Sequence, residues 1–513
     1  MHLYSSTISD SGRPIFQDPV VERVRRVAVI DVGSNSVRLV VFDGAARSPA
    51  YFFNEKVLCG LGASLAETGK LDPSGKERAL SAIARFVTIA KLMNVSDLVG
   101  VGTAALREAS DGREFAETIF KKTRLELTIA SGEHEANLAA NGVILGWPEA
   151  NGLVSDIGGV SMELADVNNV KVGLCETSAL GPLVLERLDL DPQSLEHHIG
   201  NEVVKLRKRF TRKYKTIYLV GGSWRAIAKL DIFRRNYPLK VLNEYKSSPQ
   251  EYLKTLEWAN SQTIEHLQEK TRISYERLKH IQKAGMVLKS MINIFQPQEI
   301  AISSNGIREG LLYLRMPQKL QDSDPLLEAC AFSEYSSARL PGYGDYLYEF
   351  IHPLFKKHSF EKKRLIRAAC LLHDVSWRAH PDYRAIICFE NATRANLGGL
   401  DHPGRVFLAL SLFHRYKNQS EYGEFENLLS LLEPEEIRLA EIVGKAMRLG
   451  AMLLVVSPEG LTTLKFKPKK NNLVLSLPEK LRSITGEVVS TRFRALANAM
   501  DCEAEINIEE TST

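Results

Sequence analysis

Val27-Ala-Val-Ile-Asp31-Val-Gly33-Ser34-Asn35-Ser36-Val-Arg38-Leu-Val-Val-Phe42 decides how this chain is read, because its plan returns in Gly152-Leu-Val-Ser-Asp156-Ile-Gly158-Gly159-Val160-Ser161-Met162-Glu163-Leu-Ala-Asp166. In each copy an aliphatic run predicts a strand that ends on an aspartate. A turn of glycine and small polar residues follows, then a returning strand. Such a turn offers backbone N–H groups to an anion, and an aspartate at the strand end suits a hard cation such as Mg2+. Two copies facing one cleft would grip a polyphosphate from both sides.

Working outward, residues 25–43 read as a β-hairpin. Tyr51 to Leu58, Val99 to Thr103 and Leu125 to Ala130 read as strands, with helical spacing over 73–94 and 104–109. Ser131 is placed to cap a helix running from Glu133 to Leu145. After the second turn come helices at 181–188 and 194–213, and the strand Thr216 to Val220 runs into Gly221-Gly222-Ser223 and a helix from Trp224. A charged, polar stretch occupies 240–275. A helix at 276–294, a strand at 299–303 and a closing helix at 307–314 complete an α/β pattern used twice. From 326 onward the periodicity is mostly helical (326–340, 344–357, 361–374, 402–416, 434–453), with a basic hairpin at 460–476 and an acidic, frayed end. The expected organisation is a mobile tail at 1–24, one α/β domain at 25–134, a second at 135–316, and a helical domain at 317–513.

Composition narrows the class. The chain has 513 residues, 44% apolar and 25% charged, with a formal net charge of +4, which does not single out a nucleic-acid polymer as partner. Basic runs at Lys205–Lys215, Lys356–Arg364 and Lys465–Lys470 are local. The six cysteines are scattered without a C-x-x-C pair and read as reduced thiols in a cytoplasm. No apolar run approaches the about 18 residues of a membrane span, and the polar first two dozen residues lack the apolar core of a signal peptide.

Chemistry concentrates at the turns. Gly33, Gly158, Gly159, Gly221 and Gly222 let a phosphate approach the backbone, and Ser34, Asn35, Ser36, Ser161 and Ser223 add hydroxyl or amide donors. Asp31 and Asp156 hold equivalent places, and with Glu163 on the returning strand they form a candidate Mg2+ set. Glu133 and Glu135 lie in the first turn of a helix, where a carboxylate either complements the dipole or takes a proton from water. Arg38 and Arg107 follow turns in the first domain and suit phosphate.

At these residues the chain resembles the exopolyphosphatase / guanosine pentaphosphate phosphatase (Ppx/GppA) family, over about residues 25–315. Five ordered segments carry the likeness: Asp31-Val-Gly-Ser-Asn-Ser36; Gly102-Thr-Ala-Ala-Leu-Arg107; Ser131-Gly-Glu-His-Glu135-Ala136; Asp156-Ile-Gly-Gly-Val-Ser-Met-Glu163; and Ser304-Asn-Gly-Ile-Arg308-Glu309-Gly310. The resemblance implies a duplicated ribonuclease-H-like, actin-like fold. It implies Glu135 as the catalytic base, Asp156 and Glu163 as holders of Mg2+ and of the attacking water, and Arg107 as a phosphate contact. K+ as an activating ion and a homodimer are expected on the same ground. The chain departs from the family pattern at Val160 (glycine), Met162 (threonine) and His134 (glutamate). Valine narrows the turn's conformations, since β-branched residues avoid positive φ.

In the helical region, His373-Asp374 resembles the core of HD-type metal-dependent phosphohydrolases, with His352, His380, His402 and His414 as further imidazoles. The longer family members are similar here, with an HD-like domain that has lost most of its ligands. The expected activity is processive release of orthophosphate from inorganic polyphosphate by Mg2+-assisted attack of water. The alternatives are hydrolysis of guanosine pentaphosphate to the tetraphosphate, an actin-like sugar or acid kinase, and a non-catalytic sensor. A base-stacking aromatic near the cleft would favour the nucleotide.

Overall fold

Strand β1 (Arg26–Val32) buries Val27 to Ile30 and Val32, so both of its faces are covered and it sits at the centre of a sheet. The computed structural model describes residues 26–43, 47–418, 422–454 and 462–509. β2 (Ser36–Phe42) and β3 (Tyr51–Leu58) continue from β1 as an antiparallel meander, and β4 (Val95–Gly102) and β5 (Leu127–Ile129) add in parallel on the other side. The order is β3-β2-β1-β4-β5.

A second sheet repeats this plan. β6 (Gly152–Ile157), β7 (Met162–Asn168) and β8 (Lys171–Ser178) form the meander, and β9 (Thr216–Val220) lies parallel to β6. With β10 (Lys246–Ser247) and β11 (Glu299–Ile302) the order is β8-β7-β6-β9-β11-β10. Apart from the short edge strand β10, neighbours and directions match the first sheet. The core is thus the duplicated α/β architecture expected of a ribonuclease-H-like, actin-like protein.

The Gly132–Gly146 helix is buried along most of its length and crosses the Ile307–Leu314 helix. Glycines permit the crossing: a Cβ on Gly310 would stand 1.8 Å from the Leu138 carbonyl oxygen, and one on Gly142 would stand 2.3 Å from that of Gly306. The helix runs through residues 134 and 135, where the domain limit was expected.

Several elements differ from the expectation. The polar stretch 240–275 holds two helices, Pro249–Asn260 and Ile264–Thr271, started by Ser248 and Thr263 side chains that accept backbone N–H bonds. Their buried faces, with Tyr252, Leu256, Ala259 and Leu267, are narrow stripes among charges. The Gly112–Thr123 and Arg384–Arg394 helices were also unforeseen.

A second compact unit begins at Asp324. Its core joins the Pro325–Ser337, Tyr343–Ile351, Phe360–Leu372, His402–Tyr416, Pro434–Leu453 and Glu487–Ala499 helices with a small sheet. That sheet is β12 (Thr463–Lys467), β13 (Asn472–Pro478) and β14 (Glu503–Glu509), in that order. The acidic end, read as frayed, is therefore a strand through Glu509. Ile506 and Ile508 pack on the core while the alternating glutamates face outward. The 1–24 tail, residues 460–461 of the basic hairpin and the last four residues lie outside the described residues.

Candidate active site

Both turns are closed by the same bond. Gly33 N donates to Ser36 O at 3.0 Å, and Gly158 N donates to Ser161 O at 2.9 Å. They also approach one another: a Cβ on Gly159 would lie 3.5 Å from Ser34 Oγ. Asp31 and Asp156 therefore open onto a common cleft of about 760 Å3. Gly33, Ser34, Asn35, Ser36, Gly158, Gly159, Ser161, Gly221, Gly222 and Ser223 all line it, with Asp31, Glu135, Asp156 and Glu163. Gly221 has φ +111°, and a Cβ there would stand 2.9 Å from Asp156 Oδ1, so the third turn requires glycine on both counts.

The helix that starts at Gly132 aims one glutamate inward. Ser131 Oγ accepts from His134 N at 3.1 Å and fixes the first turn. Glu135 is then buried, while Glu133 and His134 are exposed. Burial and then nearby Glu163 raise the Glu135 pKa to about 8, with Arg107 opposing the shift. Burial and Asp156 lift Glu163 to about 7, against its bonds from Ser161 and Thr177. Burial lifts Asp156 to about 6, with Arg225 opposing and Asp31 adding to the rise. Asp31 is raised mainly by burial.

Two predicted residues stand off the cleft lining. Arg107, expected on phosphate, bonds Glu135 through Nη1 and Glu108 through Nε at 3.0 Å. A buried carboxylate among other carboxylates requires a cation, and Arg107 is the one within reach. Arg38 donates to Asn54 Oδ1 at 2.7 Å on the outer strands of its sheet. Positive charge reaches the cleft from unassigned residues, Lys56, Arg187, Arg225, Arg277 and Arg308, and His280 lines it beside them. Arg225 and Arg308 lower the pKa of both Asp156 and, for Arg308, Asp31. Each follows a glycine turn at a strand end, as Arg38 does, and that parallel was the signal available in the sequence.

The departures from the family pattern are absorbed. Val160 lies outside the left-handed region, so its branched side chain strains nothing there. Met162 is fully buried in the core of the second lobe, on the strand face opposite Glu163.

The acids suit Mg2+ in kind, being hard oxygen donors whose charges act on one another. They do not close a cage: among the described residues no three His, Cys, Asp or Glu side chains group to hold a metal. Mg2+ commonly takes one or two carboxylates and completes its shell with water and phosphate oxygens, which this arrangement permits.

His373 and Asp374 are engaged within the C-terminal unit. His373 Nδ1 lies 2.8 Å from Cys370 O, and Asp374 accepts from Arg339 at 2.8 and 2.5 Å. Burial and Arg415 push the His373 pKa down to about 4. Neither this pair nor His352, His380, His402 or His414 belongs to a metal-binding group among the described residues. All six cysteines are free, and no described helix is long and apolar enough to cross a membrane.

Comparison with known proteins places this geometry. The Ppx/GppA phosphatase family matches residues 40–319, and the C-terminal region of exopolyphosphatases matches 352–506. Retrograde regulation protein 2 of Saccharomyces cerevisiae is 23% identical over 500 residues, covering 88% of this chain and 83% of its own. Exopolyphosphatase 1 of Mycobacterium tuberculosis is 26% identical over 336 residues (62% and 95%). The guanosine-5'-triphosphate,3'-diphosphate pyrophosphatase of Aeromonas salmonicida is 22% identical over 486 residues (88% and 92%). The structure of an exopolyphosphatase from Cytophaga hutchinsonii overlays with a TM-score of 0.52 at 21% identity, over 58% of this chain and 99% of that one, and so shares the fold of the duplicated core. The chain belongs to the Ppx/GppA phosphatase family.

Proposed function

We propose that this protein is an exopolyphosphatase, releasing orthophosphate from the end of inorganic polyphosphate by in-line attack of water. One observation carries the reading: the two turns, a buried glutamate and four arginines share a cleft whose lining, among the described residues, includes no Phe, Tyr or Trp. A purine is usually held by stacking, whereas a linear phosphate chain needs only N–H donors and cations.

The terminal phosphate sits between the Gly33–Ser36 and Gly158–Ser161 turns, whose N–H groups and hydroxyls meet its oxygens. Arg225 and Arg308 offset the charge that spreads over the transferring group. Glu135 takes the proton of the attacking water, and a pKa of about 8 makes it a strong carboxylate base. Arg107 positions that carboxylate. Mg2+ at Asp31 and Asp156, with Glu163 beside it, would neutralise the terminal phosphate, and K+ is the expected activating ion.

Guanosine pentaphosphate is the second reading, favoured by the span of the Aeromonas relative over nearly the whole chain. The test is phosphate release on long polyphosphate and on guanosine pentaphosphate side by side, with and without Mg2+. Faster release from polyphosphate is expected. Preference for the nucleotide would transfer the assignment to the second reading, and tight binding without release from either would make the protein a sensor.

A further inference from the structure

Glu309 is 1% exposed, and the chemistry proposed for the cleft does not use it. Both of its oxygens are held. Oε2 accepts from Gly306 N at 2.7 Å, which folds the carboxylate back over the start of the Ile307–Leu314 helix, the side-chain half of a capping box. Oε1 accepts from the Tyr51 hydroxyl, also at 2.7 Å. Tyr51 opens β3, the edge strand of the first sheet, so this bond joins residues 258 positions apart. The Tyr51 ring is seated edge-on against Phe42, its neighbour across the β2–β3 ladder, with centroids 5.6 Å apart. Its body stays open to solvent while its hydroxyl reaches a carboxylate shut away from water. Burial and then Glu309 raise the Tyr51 pKa, so the hydroxyl keeps its proton and donates.

Arg308 depends on that carboxylate. Consecutive helix residues point to different sides, so spacing alone would not pair Arg308 with Glu309. The backward fold of Glu309 brings its Oε1 to 3.9 Å from Arg308 Nε, on the stem side of the guanidinium. The Arg308 side chain is only 11% exposed, and a cation so far out of water requires a counterion. Because the counterion meets it at Nε, the terminal fork is left over. Among the described residues neither Nη of Arg308 has a hydrogen bond or ion pair within the protein. Arg308 lines the cleft, and it is the foremost charge acting on Asp31. A free fork in that place suits two phosphoryl oxygens at once.

We propose that Tyr51 is a positioning residue for phosphoryl transfer: its hydroxyl fixes Glu309, and Glu309, by holding Arg308 at Nε, turns the free fork of Arg308 to the phosphoryl group. Tyr51 touches no substrate. This role rests on that of Arg308 as a group that offsets charge on the transferring phosphoryl. The donor lies on the edge of the first sheet and the arginine on the helix that follows the second sheet. The fork is therefore aimed only while β3 and that helix are seated together.

The test is a double-mutant cycle of Tyr51→Phe with Arg308→Lys in the full chain, read as steady-state phosphate release from long polyphosphate. Tyr51→Phe keeps the ring and its seat on Phe42 and removes only the donor. With Arg308 present it should lower kcat roughly tenfold, the effect of one hydrogen bond to a charged group. KM should stay within about twofold, since the loss falls on the transition state. In the Arg308→Lys background, which lacks the Nε–H and the fork, Tyr51→Phe should change kcat by less than about twofold. Should Arg308→Lys fold poorly, Glu309→Gln, which keeps the Gly306 bond and drops the charge, replaces it as the second corner with the same expectation. Equal losses in both backgrounds make Tyr51 merely structural and overturn the proposal. So does an unchanged kcat with Arg308 present, or a loss carried by KM alone. If the parent prefers guanosine pentaphosphate, the cycle is read on that substrate. If the parent releases no phosphate at all, the proposed activity fails by itself, and the cycle is read as orthovanadate affinity by calorimetry. The same coupled loss then upholds the role of Tyr51, and its absence overturns it.

Discussion

The β1–β2 and β6–β7 hairpins share a register and differ in charge at the position that faces each aspartate. Asp31 lies opposite Arg38, whereas Asp156 lies opposite Glu163. In the first lobe the aspartate is surrounded by cations: Arg308, Arg38 and Lys56 all favour its ionised form. In the second, where Arg225 and Arg308 also act on it, it joins a run of acids: Asp156 raises the pKa of Glu163 and Glu135, and Glu163 raises that of Glu135. Duplication supplied one backbone plan twice, and side-chain divergence set a cation against the first aspartate and a second acid against the other.

That contrast can be broken most severely at the base. Glu135→Gln should lower phosphate release by about 10²–10⁴-fold, the usual reach of general-base catalysis, while polyphosphate binding measured by calorimetry stays. Near-normal turnover would leave the second lobe without its assigned chemistry. The matched pair comes next. Glu163→Gln should lower kcat by roughly tenfold or more, as expected for loss of a charged hydrogen-bonding group, and Arg38→Gln should raise KM by only a few-fold, as for a partly exposed cation. Equal effects on kcat from the two would erase the division between lobes.

A pH profile sharpens it further. Release should climb through pH about 8 as the Glu135–Glu163 pair loses its protons, falling about tenfold per unit on the acid side. Because Arg107 lowers the Glu135 pKa, Arg107→Met should move that limb to higher pH; a shift downward would contradict the pairing. The smallest effect is on stability. The folded pKa values of Asp156, Glu163 and Glu135 are raised, to about 6, 7 and 8. Their contribution is therefore complete below the ordinary carboxylate range and is lost as pH rises through 6 to 8. Urea midpoints of the ligand-free protein should fall across that window, and Glu163→Gln should flatten the fall by on the order of 1–2 kcal/mol.

What the sequence disclosed was local. Each aspartate, its glycine turn and its flanking strands lie within one short stretch, so both hairpins and their convergence were readable from pattern alone. Lys56, Arg225, Arg308 and the helix bearing Arg277 and His280 are far apart in sequence, and only the glycine turns before Arg225 and Arg308 hint that they meet. Arg107 was found, but its pairing with Glu135 was not, because Glu135 lies in another element. The final strand was missed because its glutamates mask the alternation of Ile506 and Ile508. The core's architecture was legible through repetition; the cleft's cations were not, since tertiary folding alone assembles them.

The helix crossing at Gly142 and Gly310 has a mechanical meaning. Backbone meets backbone there, with no side chains to yield, so the rod bearing Glu135 cannot glide along the rod bearing Arg308. A side chain at either glycine would wedge the two rods apart and carry Glu135 away from Arg308.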